Sequence, residues 1–295
     1  MNSFNILHTI SICFIILPGR LILLKAAEPP LFIKIAHRGG FVTENLPEHS
    51  FPALEEAIRR GYSYAEIDAR ITKDSRVVCF HDEDLFDQTG ITGKISDMNL
   101  DQIRKVKLLH TEERILTFEE FCIKCEGRIN LMVDLKGCAD EQIDAYSFEI
   151  EHNLKKYRLL KNSLILINKT PSNNQEKVAR RFLHKAKISW RKSLEQTLAG
   201  RKVLSDLSSK YYVFNHGADF DYQEVKGFQR MGLSIIVSIN TGHYKVGDPV
   251  SRGLDDIKAM LTYGVDGIQL DACYESALKG ISPKFNEKPT IQNSD

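Results

Sequence analysis

The sequence lacks an excess of charge of either sign, because 40 lysines and arginines are matched by 39 aspartates and glutamates among its 295 residues. A net charge of +1 excludes a protein that binds nucleic acid through bulk charge, which needs a basic excess on one face. Hydrophobic residues make up 42% of the chain and charged residues 27%. These proportions exclude an intrinsically disordered chain and a multi-span membrane protein. A folded globular body remains.

Several motifs are also missing. No GxGxxG or GxxxxGK turn follows the first predicted strand, where Gly39-Gly40 is too short for either, and no GxSxG nucleophile elbow occurs. The six cysteines do not form a disulfide framework, since Cys13 lies in an apolar N-terminal segment and the others are odd in number and irregularly spaced. Cys122 and Cys125 form a lone CxxC, which predicts two helical residues that pack as apolar groups.

The N-terminal segment is apolar, and Arg20 is its one charged residue between Phe4 and Leu24. The dense run over 10–17 is too short to span a bilayer comfortably and is typical of a signal-peptide core. No basic residue precedes it, so an uncleaved anchor is the alternative. We therefore expect residues 1–27 to be a signal peptide or an N-terminal membrane anchor. Export to the periplasm or the exterior, or anchoring, is favoured over a cytoplasmic location, with membrane contact through this segment only.

A repeated order of helix, glycine and strand runs through the rest of the chain. Gly61, Gly232 and Gly264 each follow an amphipathic helical pattern and precede a β-rich run. Seven or eight strands that alternate with helices predict parallel βαβ units and a (β/α)8 barrel; a doubly wound open sheet is the alternative. We expect the barrel over 31–280 and a tail over 281–295, with no large insertion subdomain.

Polar side chains follow nearly every predicted strand, where the catalytic groups of a barrel lie. Glu66 and Asp68 are two residues apart on a strand, so both side chains point to the same face. Adjacent carboxylates repel unless a cation lies between them, and oxygen ligands suit Mg²⁺ or Ca²⁺. Asp134 is a candidate third ligand. Two alternatives stay open: solvated charges on an edge strand, or a salt bridge from Asp134 to Lys136.

Two histidines, His37 and His81, lie on either side of this carboxylate pair in the sequence. Each histidine alone is better explained as structural or solvent-exposed. Together, with carboxylates between them, they predict a general acid–base pair for a reaction at phosphorus. Arg38 and Lys136 offer hydrogen-bond donors to phosphate oxygens.

The chain contains an ordered series of motifs: Ala36-His-Arg-Gly-Gly40, Leu46-Pro-Glu-His-Ser50, Glu66-Ile-Asp68, Thr72-Lys-Asp74, His81-Asp82, Asp134-Leu-Lys136 and the run from Gly264 to Asp271. This series resembles the glycerophosphodiester phosphodiesterase family, within the phospholipase C-like phosphodiesterase superfamily. The pattern of that family is HRG, PENT, ExD, TxDG and HD, in this order.

The resemblance implies a (β/α)8-barrel, metal-dependent hydrolase that converts glycerophosphodiesters to glycerol 3-phosphate and an alcohol. By motif position, His37 and His81 are the catalytic pair, Arg38 and Lys136 bind phosphate, and one divalent cation, Mg²⁺ or Ca²⁺, is held by Glu66, Asp68 and Asp134. The implied mechanism is attack on phosphorus by the glycerol 2-hydroxyl, followed by hydrolysis of the cyclic phosphate. We expect His37 to act as the base in the first step and His81 as the acid.

The chain departs from the family pattern at three places. PENT reads Pro47-Glu-His-Ser50, so an imidazole replaces an amide at His49. Asp134 stands where the family usually has glutamate, and Val237 stands where it often has tryptophan. Glu48 is expected either to support a site residue or simply to begin the next helix.

Two rival functions remain. A sphingomyelinase D-like or lysophospholipase D-like enzyme resembles the same barrel, acts on a lipid headgroup and is expected to carry an apolar interfacial loop. The PENT-like segment and the full helix between His37 and Glu66 favour the glycerophosphodiesterase. The second rival is a catalytically idle barrel with a binding role, against which the retained histidines and carboxylates argue.

Overall fold

The structure is a computed structural model that describes residues 13–17, 20–24, 32–200 and 206–279. Near the N-terminus, β1 (Cys13–Leu17) pairs antiparallel with β2 (Arg20–Leu24). This hairpin belongs to a unit separate from the body that begins at Phe32. The rest of the predicted leader over 1–27 and the predicted tail over 281–295 lie outside the described residues. Among the described residues, every helix is too short or too polar to cross a bilayer.

The body contains a closed barrel of eight parallel strands, because the last strand pairs with the first. The predicted (β/α)8 architecture is therefore confirmed. A ninth strand, β5, pairs antiparallel with the end of β4 and lies outside the barrel. The strands are β3 (Ile33–Ala36), β4 (Tyr64–Ile71), β5 (Val77–Cys79), β6 (Asn130–Leu135), β7 (Leu164–Leu166), β8 (Lys187–Trp190), β9 (Tyr211–His216), β10 (Ile235–Ile239) and β11 (Gly267–Leu270).

One barrel strand, β8, is not singled out by the sequence pattern. It is four residues long, begins with Lys187 and contains Ser189, so it shows no continuous apolar run. The extended run at Val77 is apolar but forms the antiparallel strand β5. The predicted seven or eight strands therefore omit β8, which brings Arg191 to the barrel mouth, and the extended run at Val77 does not replace it in the barrel.

The helices surround the barrel and follow the capping signals of the sequence. The side chain of Ser50 accepts a hydrogen bond from the Ala53 amide at 3.3 Å and begins α1, and Thr117 with Glu120 forms the capping box of α4. Gly264, at φ 74°, ends α10. The helices are α1 (Phe51–Arg59), α2 (Phe86–Thr89), α3 (Leu100–Ile103), α4 (Phe118–Cys125), α5 (Ile143–Lys156), α6 (Asn173–Arg180), α7 (Leu194–Ala199), α8 (Leu207–Lys210), α9 (Tyr222–Arg230) and α10 (Pro249–Tyr263).

The alternation of side chains along β4 explains where the site forms. Ala65 and Ile67 face outward into the main apolar core, while Tyr64 packs against the cluster that fills the barrel interior. Glu66 and Asp68 share the inward face with Tyr64 and are almost fully buried. The interior is thus apolar at one end and carries carboxylates toward the ends of the strands.

The segment between β5 and α4 is short and packs around a small apolar core of its own. That core includes Phe80, Leu85, Ile95 and Ile103, and the segment carries helices α2 and α3. Gln88 on α2 donates a hydrogen bond to Glu48, so the segment lies beside the barrel mouth.

Gly40 gives a test of how tightly the first turn packs. A Cβ at this position would collide with the backbone of Ala53 in α1, which a rotamer change cannot relieve. We expect Gly40→Ala to lower the free energy of unfolding by about 1–3 kcal/mol, measured by chemical denaturation. Gly137→Ala is the matched control, because a Cβ there meets nothing within 4 Å; it should change stability by less than about 0.5 kcal/mol. Equal effects of the two substitutions would contradict this packing.

Candidate active site

Three carboxylates meet at the carboxyl end of the barrel. β4 and β6 pair in parallel with Asp68 opposite Asp134, and Glu66 lies two residues before Asp68. One oxygen from each of the three side chains lies within 4.8 Å of the others. The structure therefore brings together the three residues that the sequence proposed as metal ligands.

Lys136 lies against the same group. Its Nζ is 2.5 Å from Oδ1 of Asp68 and 2.6 Å from Oδ2 of Asp134. The salt bridge that the sequence left open as an alternative therefore forms within the carboxylate cluster. The other oxygen of Asp134, Oδ1, is buried without a hydrogen-bond partner among the described residues. An unpaired carboxylate oxygen inside a ring of acidic groups fits a hard cation.

The electrostatics of the cluster indicate a deficit of positive charge. Burial and the neighbouring Asp68 and Asp134 hold the pKa of Glu66 well above its usual range. Burial and Asp68 raise the pKa of Asp134 to about 6, against the opposing effect of Lys136. Asp68 behaves differently: burial alone would raise its pKa, but Lys136 and His49 lower it well below the usual range. One ammonium group does not balance three carboxylates, of which Glu66 and Asp68 are almost fully buried, so the cluster favours a further cation.

His37 is held by a residue from the opposite end of the chain. Its Nδ1 lies 2.7 Å from Oδ1 of Asp271, and Oδ2 of Asp271 accepts hydrogen bonds from the Thr241 amide at 2.7 Å and hydroxyl at 2.8 Å. Burial would raise the pKa of Asp271, but His37 and Thr241 lower it to about 2. Asp271 is therefore a carboxylate that fixes the imidazole and leaves Nε2 for proton transfer. The sequence places Asp271 at the end of the last matching motif segment and gives it no role.

His81 is held at two points. Its Nδ1 lies 2.8 Å from Oδ1 of Asp82, and Arg70 donates from Nε at 3.0 Å and from Nη2 at 2.7 Å to the His81 carbonyl. Burial lowers the pKa of His81, and the positive charges of Lys136 and Arg38 act in the same direction, against Asp68. His37 and His81 line the same cavity as the carboxylates.

Arg38 connects the first turn to the carboxylates. Its backbone, at φ 51°, is left-handed, and its amide donates to Oε2 of Glu66 at 2.8 Å. Its Nη1 donates to Oε2 of Glu48 at 2.6 Å, and Nε is buried without a partner among the described residues. Glu48 therefore contacts a residue of the candidate site directly.

The cavity also carries groups to which the sequence assigns no role. It has a volume of about 390 Å³, and Arg191, His216 and His243 are among its lining residues. Burial and His216 lower the pKa of His243 to about 3, so this imidazole is neutral. Arg191 directly follows β8, and residues at that position in a barrel are candidates for the site. Because the sequence pattern does not reveal β8, it does not reveal Arg191 either.

Comparison with known proteins agrees with this geometry. Residues 37–274 match the glycerophosphoryl diester phosphodiesterase family. The chain is 32% identical over 115 residues to glycerophosphodiester phosphodiesterase 1 of Mus musculus, which covers 36% of this chain and 34% of the relative. It is 36% identical over 102 residues to a lysophospholipase D of Homo sapiens, covering 35% of this chain and 30% of that protein. The chain thus spans about a third of the length of these curated relatives.

Solved structures share the fold over most of the chain. A glycerophosphoryl diester phosphodiesterase from Parabacteroides distasonis superposes with a TM-score of 0.65 at 20% identity, covering 90% of this chain and 92% of that one. A phosphodiesterase from Oleispira antarctica, in complex with the product sn-glycerol-3-phosphate, has a TM-score of 0.65 at 20% identity and covers 84% of this chain and 97% of that one. At this identity the likeness shows the fold alone.

Proposed function

This chain belongs to the glycerophosphoryl diester phosphodiesterase family, and we propose that it hydrolyses glycerophosphodiesters to glycerol 3-phosphate and an alcohol. The observation that carries the proposal is the cavity in which Glu66, Asp68 and Asp134 lie beside His37 and His81. Family membership and the product bound to the Oleispira antarctica structure support the choice of substrate.

The cation of this site is proposed to be Mg²⁺ or Ca²⁺, held by Glu66, Asp68 and Asp134. The oxygen-only donor set, the unpartnered Oδ1 of Asp134 and the raised pKa of Glu66 support a hard divalent ion. When bound, the cation would neutralise charge on the phosphate oxygens and so favour attack at phosphorus.

Proton transfer is assigned to the two histidines. In the first step Nε2 of His37 takes the proton of the glycerol 2-hydroxyl as its oxygen bonds to phosphorus. The bond from phosphorus to the alcohol oxygen breaks, and His81 gives that oxygen a proton. In the second step the water oxygen bonds to phosphorus while His81 takes the water proton. The bond from phosphorus to the 2-oxygen breaks, and His37 returns a proton to that oxygen. Both histidines then regain their initial states.

Phosphate binding is assigned to Arg38 and Lys136. Nε of Arg38 is a buried donor without a partner among the described residues, which supports a role in binding a phosphate oxygen. Lys136 lies with Asp68 and Asp134, so its charge adjoins the position proposed for the cation.

The test is an assay of the full chain on glycerophosphocholine, glycerophosphoethanolamine and glycerophosphoglycerol with added Mg²⁺ or Ca²⁺. We expect release of glycerol 3-phosphate that stops when a chelator is added. A folded protein that releases none from any of the three, with either cation, would overturn the proposal. If the parent and His37→Ala are equally inactive on a broad panel of phosphodiesters, the idle barrel is correct.

A second candidate, lysophospholipase D activity, is favoured by one observation. Three apolar side chains on the segment beside the mouth are exposed: Phe86 at 58%, Ile91 at 42% and Leu109 at 41%. An enzyme that takes lysolipids from a bilayer needs such an apolar contact. The human lysophospholipase D among the relatives supports the same reading.

The two candidates predict different effects of making this segment polar. If lysolipids are the substrate, the double substitution Phe86→Ser and Leu109→Ser should lower kcat/KM on lysophosphatidylcholine vesicles about 10-fold, because partition to a bilayer scales with apolar area. The kcat/KM on glycerophosphocholine should stay unchanged. Phe148→Ser, an exposed side chain on α5, is the control. Unchanged activity on both substrates would remove the interfacial role. Activity on lysolipid with none on glycerophosphocholine would make lysophospholipase D the function.

A further inference from the structure

We infer that His49 is a positioning residue that holds the Asp68 carboxylate in place for the divalent cation, an inference that rests on the proposed function. His49 is the residue at which PENT becomes Pro47-Glu-His-Ser50. The sequence alone offered no contact for its imidazole.

The contact between His49 and Asp68 is short and buried. Nε2 of His49 lies 2.8 Å from Oδ2 of Asp68, and the two side chains are 3% and 2% exposed. Oδ1 of Asp68 lies on the other side, 2.5 Å from Nζ of Lys136, which also contacts Asp134. With Oδ2 occupied by His49, Oδ1 is the oxygen that faces the other carboxylates. His49 therefore fixes which oxygen of Asp68 is offered to a cation.

The surroundings of Nδ1 determine the direction of the hydrogen bond. Nδ1 is buried and has no partner among the described residues, and a Cβ on Gly39 would lie 2.7 Å from it. A hydrogen on Nδ1 would be a buried donor without an acceptor, which is costly. A hydrogen on Nε2 has an acceptor, so His49 donates it to Asp68.

The backbone of His49 is tied to the same turn as Glu66. Its amide donates to the Arg38 carbonyl at 2.9 Å, while the Arg38 amide donates to Oε2 of Glu66 at 2.8 Å. One turn thus positions two of the three carboxylates, Glu66 directly and Asp68 through His49. His49 has φ 54°, a left-handed conformation that asparagine also tolerates.

An imidazole and the asparagine amide of the family pattern differ in how far their nitrogen atoms lie from the backbone. The side-chain nitrogen of asparagine lies at the distance of Nδ1 from the backbone, whereas that of glutamine lies near Nε2. An asparagine at position 49 should therefore fold in this conformation and fail to reach Asp68. Glutamine should reach it and replace the donor.

The experiment compares His49→Asn, His49→Gln and His49→Phe in the full chain. Mg²⁺ and Ca²⁺ affinities are measured by calorimetry, and the melting temperature is measured with chelator. We expect His49→Asn and His49→Phe to bind the cation about 10–100-fold more weakly, and His49→Gln to stay within about threefold of the parent. At saturating cation, kcat of His49→Asn should return to within about threefold of the parent, because His49 acts through Asp68. His152→Asn, at an exposed position on α5, is the control.

The outcomes separate this inference from the proposed function. Parent-like cation affinity in His49→Asn, or an equal loss in His49→Gln, would overturn the positioning role. A loss of cation affinity in His49→Asn that is accompanied by a clear fall in its melting temperature with chelator would also overturn it, because that result indicates a structural role only. A parent protein that binds neither cation and hydrolyses no glycerophosphodiester would overturn the proposed function, and the inference would fall with it.

Discussion

Replacing His37 by alanine is expected to lower kcat on glycerophosphodiesters by about 10²–10⁴-fold, because the glycerol hydroxyl loses its base. His81→Ala should cause a loss of similar size on natural substrates. Asp271 contacts His37 and keeps its hydrogen bonds from Thr241 when the imidazole is removed, so the fold should survive the substitution. The measurement is steady-state kinetics at saturating cation, with the melting temperature as a check on folding.

The leaving group distinguishes the two histidines. On a glycerol phosphodiester of p-nitrophenol the leaving oxygen needs no proton, so His81→Ala should regain most of its rate while His37→Ala stays impaired. The reverse result would exchange the two roles. His152→Ala is the matched control. The His152 imidazole is exposed on α5, where it stacks on Phe148, and it does not line the cavity, so its removal should leave kcat unchanged. Retention of more than a tenth of kcat by His37→Ala would contradict its assignment as base.

Lys136→Met is expected to lower the free energy of unfolding of the cation-free protein by about 3–5 kcal/mol, because it leaves buried carboxylates without their ion-pair partner. Lys136 touches both Asp68 and Asp134, and a mobile methionine provides no charge in its place. Added Mg²⁺ or Ca²⁺ should recover a large part of the loss by binding the folded state. Denaturant titrations with chelator and with each cation measure both effects.

The control for this substitution is Lys258→Met. Lys258 is 75% exposed and pairs with Asp255 one helical turn earlier, so its loss should change stability by less than about 0.5 kcal/mol. An equal effect of both substitutions would show that the carboxylate cluster does not depend on Lys136. Failure of either cation to stabilise Lys136→Met would contradict the proposed cation site.

The same cluster gives a dependence on pH. The pKa of Asp134 is raised to about 6 in the folded protein, above the ordinary value of a free aspartate. A carboxyl group whose pKa is higher in the folded state favours folding when protonated, so stability is lost as the pH rises through that value. Relative to Asp134→Asn, the cation-free parent should therefore lose stability between about pH 4 and pH 6, measured by chemical denaturation at each pH, and a bound cation should reverse the trend.

Local signals predicted most of the fold. Glycines such as Gly264 and the capping residues Ser50 and Thr117 act within one helical turn, so their effects are visible in the sequence. β8 was missed because four residues with a lysine and a serine carry no local pattern. It becomes a strand only because β7 and β9 lie on either side of it.

In the candidate site, too, residues in local motifs were predictable and contacts between distant residues were not. His37, Glu66, Asp68 and His81 lie in ordered motifs, so residue type and spacing were enough to find them. The contact between His37 and Asp271 joins residues 234 positions apart and exists only when the barrel closes. The bond from His49 to Asp68 likewise depends on a left-handed turn that residue type alone does not specify.

Closure of the barrel by β3 and β11 has a consequence for synthesis and for proteolysis. Until residue 270 has joined the sheet, β3 and β10 each have an unpaired edge, and such edges pair readily with other chains. The same strand positions Asp271 beside His37, so the proposed acid–base pair and the protection of the sheet are completed together. We therefore expect a nascent or clipped chain that ends before Gly267 to lack the proposed activity and to aggregate.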